Sequence, residues 1–417
     1  MPHDRDQEQG QSPSLHRQVV AGIREQIAQC GLSAHAKLAS EVALAKQFGV
    51  SRGTVTKALD TLVRQGVLYR RRPQGTFIAE TLPATGADSA VLATDAARPV
   101  VGLVIPFLPD GFVGSIILGV ETVTRAAGYG LIFAHSENDW ALERYHLEQL
   151  CRSRAAGILI FPADFAVEHR AGHLVSLGNT ERIAALRGLQ QTGMPMVLID
   201  RYVPEIECDF VVSDDTTAGY AATQHLIALG HRRLGFISIT PQVSSTVGRY
   251  AGFRHCLEQY DLPLDERSVL HALRQSSPSS MPGGSPLPGS GSHDRALLLD
   301  YLQRPERPTA LVVANDYIAL RVLQVAENLG LDVPDDLAIV CCGGGDIGAH
   351  ARVPLTSIAQ PASDLGRQAA HVLLDRIAGR SSVVRRLTLP VSLVVRRSCG
   401  AGARPVPLAI APLTVPL

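Results

Sequence analysis

The side chains best equipped for chemistry in this chain are cationic and hydroxyl-bearing, and they crowd into one stretch. Residues 40–77 read SEVALAKQFGVSRGTVTKALDTLVRQGVLYRRRPQGTF. Ser51 can cap a helix N-terminus through its hydroxyl. Val55, Ala58, Leu59 and Leu62 then recur at i, i+3, i+4 and i+7, an apolar stripe that a helix buries. The face left over carries Gly53, Thr56, Lys57, Asp60 and Arg64, with Arg52 in the first turn. Such a face can donate hydrogen bonds and meet negative charge, but it holds no nucleophile with a base beside it.

The flanking elements fit one plan. Glu41–Phe48 is a short amphipathic helix (Val42, Leu44, Ala45, Phe48), and Gly49 suits the sharp turn between two helices. Val67–Tyr69 and Thr76–Ile78 are apolar runs flanking Arg70-Arg71-Arg72-Pro73-Gln74-Gly75, a turn loaded with positive charge. Helix, turn, helix and basic hairpin make a winged helix. Its second helix would enter a major groove, and its wing would lie along the backbone or minor groove.

On these residues, with LHRQVVAGIREQI upstream, 13–80 resembles the GntR-type DNA-binding domain. That family usually has Pro-Ser-Glu-Arg where this chain has Ala39-Ser40-Glu41-Val42, and a second recognition-helix Arg where it has Thr56-Lys57. The expected contacts are Ser51, Arg52, Thr54, Thr56 and Lys57 from the helix, and Arg70, Arg71, Arg72, Gln74 and Gly75 from the wing. Charge agrees. Residues 13–80 hold ten Lys/Arg against four Asp/Glu, whereas the whole chain is formally neutral.

The remainder of the 417 residues has another rhythm. Residues 1–12 are polar and read as disordered, and 81–98 as a linker. From 99 onward, apolar runs at 100–105, 131–134, 157–161, 196–200, 210–212, 234–239, 310–313 and 337–340 read as strands. Helical stretches near 139–154, 180–191, 215–229, 247–259 and 316–329 fall between them. Short buried strands alternating with helices give an α/β body with parallel sheets, whose ligands bind beyond the strands' carboxyl ends. Residues 275–291, rich in Pro, Gly and Ser, read as a mobile insertion, and 401–417 as a poorly ordered tail.

Residues 99–400 resemble the sensor core of the LacI/GalR family, a type I periplasmic-binding-protein-like fold. The stretches that carry this are VVGLVIP, MPMVLIDR, HLIALGHRRLGFI, GRYAGFRHCLE, LVVANDYIAL, DVPDDLAIV and VPLTSIAQPASDLGRQAAHVLLDRIAG. The whole chain thus resembles the arabinose-repressor type of architecture, a GntR-type head on a LacI-type body. The resemblance implies two α/β lobes about a cleft, with ligand-binding positions at Asp110, Phe112, Ser245, Arg249, Asn315, Asp316 and Gln360. Arg, Asp, Asn and Gln suit vicinal hydroxyls, and Phe suits a sugar face. One departure bears on the ligand. Where the family commonly has Gly-Phe-Asp-Asp, this chain has Cys341-Cys342-Gly343-Gly344-Gly345-Asp346, with Gly343 and Gly344 in place of the aspartates, so the usual carboxylate is missing.

The expectation is a repressor that binds a palindromic operator as a homodimer and answers to a small effector, a sugar. An alternative is a regulator that has lost its small-ligand response and is controlled by a partner protein. Enzyme classes find little support. Lys37, Lys46 and Lys57 are the three lysines, all in the head, so the body has none to form a Schiff base. Neither cofactor nor metal is expected, because the seven Cys and fourteen His show no ligand spacing. Scattered thiols, an N-terminus without an apolar core and the lack of a long apolar run place the expected site of action in the cytoplasm, away from membranes.

Overall fold

The computed structural model describes residues 19–20, 22–23, 26, 36–64, 68–71, 75–78, 98–107, 111–170, 173–239, 243–273 and 290–402. They fall in two compact units, a head within 1–97 and a body within 98–417.

In the head, Ser40 caps helix α1 (Glu41–Phe48) by accepting the Ala43 N–H at 3.2 Å. Gly49 ends it in the left-handed region at φ 64°, a conformation glycine adopts without strain. Helix α2 (Arg52–Arg64) follows. Strands β1 (Leu68–Arg71) and β2 (Gly75–Ile78) pair antiparallel, and Leu38 N–H donates to the Thr76 carbonyl at 2.9 Å beside them. Val55, Ala58, Leu59 and Leu62 are all buried, together with Val19, Ile23, Leu38, Leu44 and Leu68. Val42, expected on the apolar face of α1, is instead 64% exposed. Leu44 takes the core position, and Val42, two residues earlier and so about 200° away around the helix, points to the other side. Upstream, the described residues 19–20, 22–23 and 26 are helical, with Val19 and Ile23 buried.

The body is built from two six-stranded sheets. The first lobe takes strands β3 (Val100–Ile105), β4 (Gly130–His135), β5 (Gly157–Ile160), β8 (Met196–Ile199), β9 (Asp209–Ser213) and β15 (Arg386–Leu389), all parallel in the order β15-β9-β8-β5-β3-β4. Helices α3 (Gly111–Ala126), α4 (Trp140–Arg152) and α5 (Thr180–Gln191) belong to it, with a hairpin of β6 (Val167–Arg170) and β7 (His173–Ser176). The second lobe orders β11 (Val269–Leu273), β10 (Leu234–Ile239), β12 (Ala310–Val313), β13 (Ala338–Gly343), β14 (Thr356–Ala359) and β16 (Ser392–Val394), with β16 alone antiparallel. Its helices are α6 (Asp215–Ala228), α7 (Ser244–Gln259), α8 (Ser290–Gln303), α9 (Asp316–Asn328) and the short α10 (Asp346–Ala349). The central strands are fully buried, as their near-continuous apolar runs require. Helix α8 begins at Ser290, inside the stretch expected as an insertion through 291, and 274–289 lie outside the described residues.

The described chain crosses between lobes three times. It leaves the first lobe after β9, returns between β14 and helix α11 (Ala362–Ile377), and leaves again between β15 and β16. Helix α11 packs on α3 and on strands of the first lobe, though it follows five strands of the second. The crossings are bonded together: Asp214 N–H donates to the Leu389 carbonyl at 2.9 Å, and the Ser213 hydroxyl to Gln360 Oε1 at 3.0 Å.

Candidate nucleic-acid interface and ligand cleft

The polar face of α2 is organised by the residue that opens α1. Glu41 Oε2 accepts from Arg52 Nε at 3.3 Å, and its Oε1 lies 3.6 Å from Arg70 Nη2. Arg70 Nη1 reaches Asp60 Oδ1 at 2.8 Å. Arg70 is therefore held inside the head by two carboxylates. Thr56 Oγ1 lies 3.3 Å from Glu41 Oε2 and 3.0 Å from the Arg52 carbonyl, so its single proton is claimed by protein acceptors. Toward an outside group it can only accept. Ser51 Oγ accepts the Thr54 N–H at 3.2 Å and shares a hydrogen bond with Thr54 Oγ1 at 2.9 Å, so both residues serve the helix start. Lys57 and Arg52 are exposed, and Gly75 opens β2 on the surface. Arg71 is described as backbone in β1, while Arg72 and Gln74 lie outside the described residues.

In the body, the carboxyl ends of both sheets meet at a cleft. Helices α6 and α7 approach so closely that a Cβ on Gly219 would sit 1.8 Å from the Arg249 carbonyl oxygen. One on Gly252 would sit 1.9 Å from that of Thr216. Glycine at both positions lets Arg249 reach the start of α6. There its Nε donates to Asp215 Oδ1 at 2.8 Å, and its Nη1 to the carbonyls of Ala314 at 2.6 Å and Cys342 at 3.1 Å. The buried guanidinium thus ties one helix to the ends of two strands. Burial lifts the Asp215 carboxyl to about 7, with Asp200 adding to the rise and Arg249 opposing it. Burial raises Asp200 too, against the pull of Arg201 and Arg249.

Asp316 explains two of the three glycines that follow Cys342, and the third, Gly344, sits at φ 75° where a Cβ would lie 2.4 Å from Ala359 Cα. Its Oδ2 accepts the Gly345 N–H at 2.7 Å and its Oδ1 the Cys341 thiol at 2.9 Å. A Cβ on Gly343 would lie 2.6 Å from the Asp316 carboxyl, and one on Gly345 2.9 Å from it. The buried Asp316 carboxyl thus packs against the loop, and the absence of side chains at Gly343 and Gly345 leaves room for it. Burial raises the pKa of Asp316, and the two hydrogen bonds oppose that rise.

A cavity of about 280 Å³ is lined by Phe112 and Ser115 of the first lobe, Gly343, Gly344 and Gly345 of the second, and Gln360 of the crossing between them. It brings together two expected ligand residues, Phe112 and Gln360, with the glycine run. Asn315 caps α9 by accepting the Ile318 N–H at 2.9 Å, and Ser245 is buried in the first turn of α7. That helix starts at Ser244, three residues earlier than its apolar pattern suggests, because Thr246 Oγ1 accepts the Val243 N–H at 3.0 Å. Asp110 lies outside the described residues.

Sequence reasoning missed Asp200 and Arg201. They follow β8 and are both buried, and Asp200 holds a left-handed backbone at φ 66°. Arg201 pairs with Asp164, faces Asp200 Oδ2 at 3.5 Å, and lies over the rings of Phe107 and Phe161 at 5.7 and 5.1 Å. The available signal was a charged dipeptide ending a buried apolar run, the place where an α/β sheet presents groups to a ligand. Among the described residues no group of three or more His, Cys, Asp or Glu is placed to hold a metal ion. No described helix is long and apolar enough to cross a membrane.

Residues 15–78 match the gntR family of bacterial regulatory proteins, and 223–399 match the periplasmic binding protein-like domain. The chain is 31% identical over 366 residues to the arabinose metabolism transcriptional repressor of Geobacillus stearothermophilus, covering 87% of this chain and 91% of that one. It is 27% identical to the protein of the same name from Halalkalibacterium halodurans, over 86% of this chain and 88% of that one. Among solved structures, transcription regulator CcpA of Lactococcus lactis superposes with a TM-score of 0.61 at 23% identity, covering 72% of this chain and 99% of that one. These relatives are regulators rather than enzymes. The chain belongs to the transcriptional repressors that join a GntR-type DNA-binding head to a periplasmic-binding-protein-like body.

Proposed function

We propose that this repressor binds a palindromic operator as a homodimer and releases it when a sugar enters the cleft of the body. The observation that carries the effector half is the cavity shared by Phe112, Gln360 and the glycine run, which draws its walls from both lobes and from a crossing. A ligand seated there touches all three, so its affinity depends on the angle between the lobes. Only that difference in affinity can shift the population of lobe angles. Two relatives named for arabinose metabolism make a pentose the first effector to try. Two lining residues suit a sugar: Gln360 for donor and acceptor bonds to hydroxyl groups, and Phe112 for a sugar face.

For the operator, Arg52 and Lys57 supply the exposed cations of the recognition helix. Ser51, Thr54 and Thr56 lie along the same face, and Arg71, Arg72, Gln74 and Gly75 act from the wing. Arg70 serves as an internal brace. The test is a gel shift of the purified chain on the DNA upstream of its own gene, with and without pentoses and hexoses. Retardation at low salt that one sugar abolishes is the expected result. No retardation removes the operator assignment, and retardation indifferent to every sugar removes the effector assignment.

A further inference from the structure

We propose that Glu41 is a positioning residue for sequence readout: it grips Arg52 by one edge of the guanidinium and thereby fixes which base edge the opposite edge meets. The inference rests on the operator reading above. Arg52 donates through Nε to Glu41 Oε2 at 3.3 Å. An arginine held at Nε keeps its Nη1/Nη2 fork turned away from the acceptor, and that fork is the edge that bonds two acceptors at once, as on guanine. The Arg52 side chain is 71% exposed while Glu41 is 27% exposed, so the carboxylate is sheltered and the fork is outward.

Glu41 is itself held in place. It opens α1, the Ser40 cap fixes the turn before it, and Arg70 Nη2 stands 3.6 Å from its other oxygen. Arg70 in turn is anchored by Asp60 at 2.8 Å. The network thus joins the first helix, the recognition helix and the wing strand through two carboxylates and two guanidiniums. Its charges cancel, so it adds nothing to the head's attraction for phosphate. Exposed pairs of this length also add little to stability. What the arrangement supplies is direction: without Glu41, Arg52 is a long side chain free to sweep several base pairs or to settle on a phosphate.

The test is enrichment sequencing from a pool of duplexes with a random 30-base-pair centre, using full-length wild type, E41A, E41Q, R52A and E41A/R52A. Wild type is expected to select a base at one position per half-site that R52A ceases to select. E41A is expected to lose about tenfold of its discrimination at that same position and to keep the others. Adding E41A to R52A is expected to change that position no further. If E41A melts below the assay temperature, E41Q carries the same comparison, with a smaller loss. The proposal is overturned if the glutamate variant keeps the preference, loses it at a position that R52A leaves alone, or gains affinity for all duplexes alike, as a mere repeller of DNA would. If wild type enriches no sequence, the operator reading itself falls, which is a different result from a wild type that selects a site and an E41A that selects it equally well.

Discussion

Replacing Arg249 by Met separates a structural strut from a ligand contact. The guanidinium is buried, its Nε pairs with Asp215, and its Nη1 holds the carbonyls of Ala314 and Cys342. Methionine refills much of the aliphatic volume, so the loss is chiefly polar. Breaking a buried ion pair by removing one partner costs about 3–5 kcal/mol. Two orphaned carbonyls add about 1–3 kcal/mol each if water does not reach them. One effect works against these. Asp215, already lifted to about 7 with Arg249 present, takes up a proton at pH 7 once the cation is gone, and a neutral acid is cheaper to bury. The net expectation is on the order of 4 kcal/mol, a large share of the stability of a domain. With a urea dependence of about 2 kcal/mol per molar, the midpoint drops by about 2 M. The assay is urea unfolding at pH 7 followed by far-ultraviolet circular dichroism. D215N/R249M is expected to recover part of the loss, because the buried acid is then neutral from the outset. An R249M midpoint within 0.5 M of wild type, about 1 kcal/mol at that slope, refutes the strut. So does a double variant that loses the sum of both single losses.

Three further outcomes follow from the same geometry. A carboxyl raised to about 7 in the folded chain and ordinary in the unfolded one stabilises the fold fully below about pH 4. That contribution is lost as pH rises through 7, so the wild type's unfolding free energy measured against D215N is expected to fall across this window, and a flat difference would reject the burial argument. Gly252→Ala drives a Cβ to 1.9 Å from the Thr216 carbonyl in a crossing of two packed helices. It is expected to cost about 3 kcal/mol, read as a drop in melting temperature, and an unchanged melting temperature would show that the crossing can open. Lys57→Ala is expected to weaken binding to all duplexes alike and to lower the slope of log affinity against log salt by about one, measured by fluorescence anisotropy; an unchanged slope would take Lys57 off the phosphate backbone.

What could be read ahead of the structure followed range in sequence. The stripe Val55, Ala58, Leu59 and Leu62 is local, and all four residues are buried as their spacing requires. The central strands were legible because a strand covered on both faces must be apolar throughout. The edge strand β15 was not: Arg386, Leu387, Thr388 and Leu389 alternate between exposed and half-buried, and their partner lies more than 170 residues earlier in β9. Arg249 was picked out by a family pattern, yet its carbonyl partners, Ala314 and Cys342, are 65 and 93 residues away. The glycine run looked like a lost function when read alone. Its packing required Asp316, 27 residues before Gly343, whose carboxyl occupies the space that side chains at Gly343 and Gly345 would fill, and Ala359, which crowds Gly344.

The triple passage between lobes has a bearing on how such a protein can be rearranged. The head is one contiguous run, so a single joint in the gene exchanges one head for another and redirects the same sensor to new targets. Neither lobe is contiguous: the first gathers its strands from 100–213 and again from 386–389, with α11 returned to it at 362–377. Trading one lobe therefore takes three coordinated joints, each beside a crossing whose hydrogen bonds must be remade. Shuffling of modules should thus vary the address of such regulators far more readily than the half-sites of their effector cleft, which are left to change residue by residue.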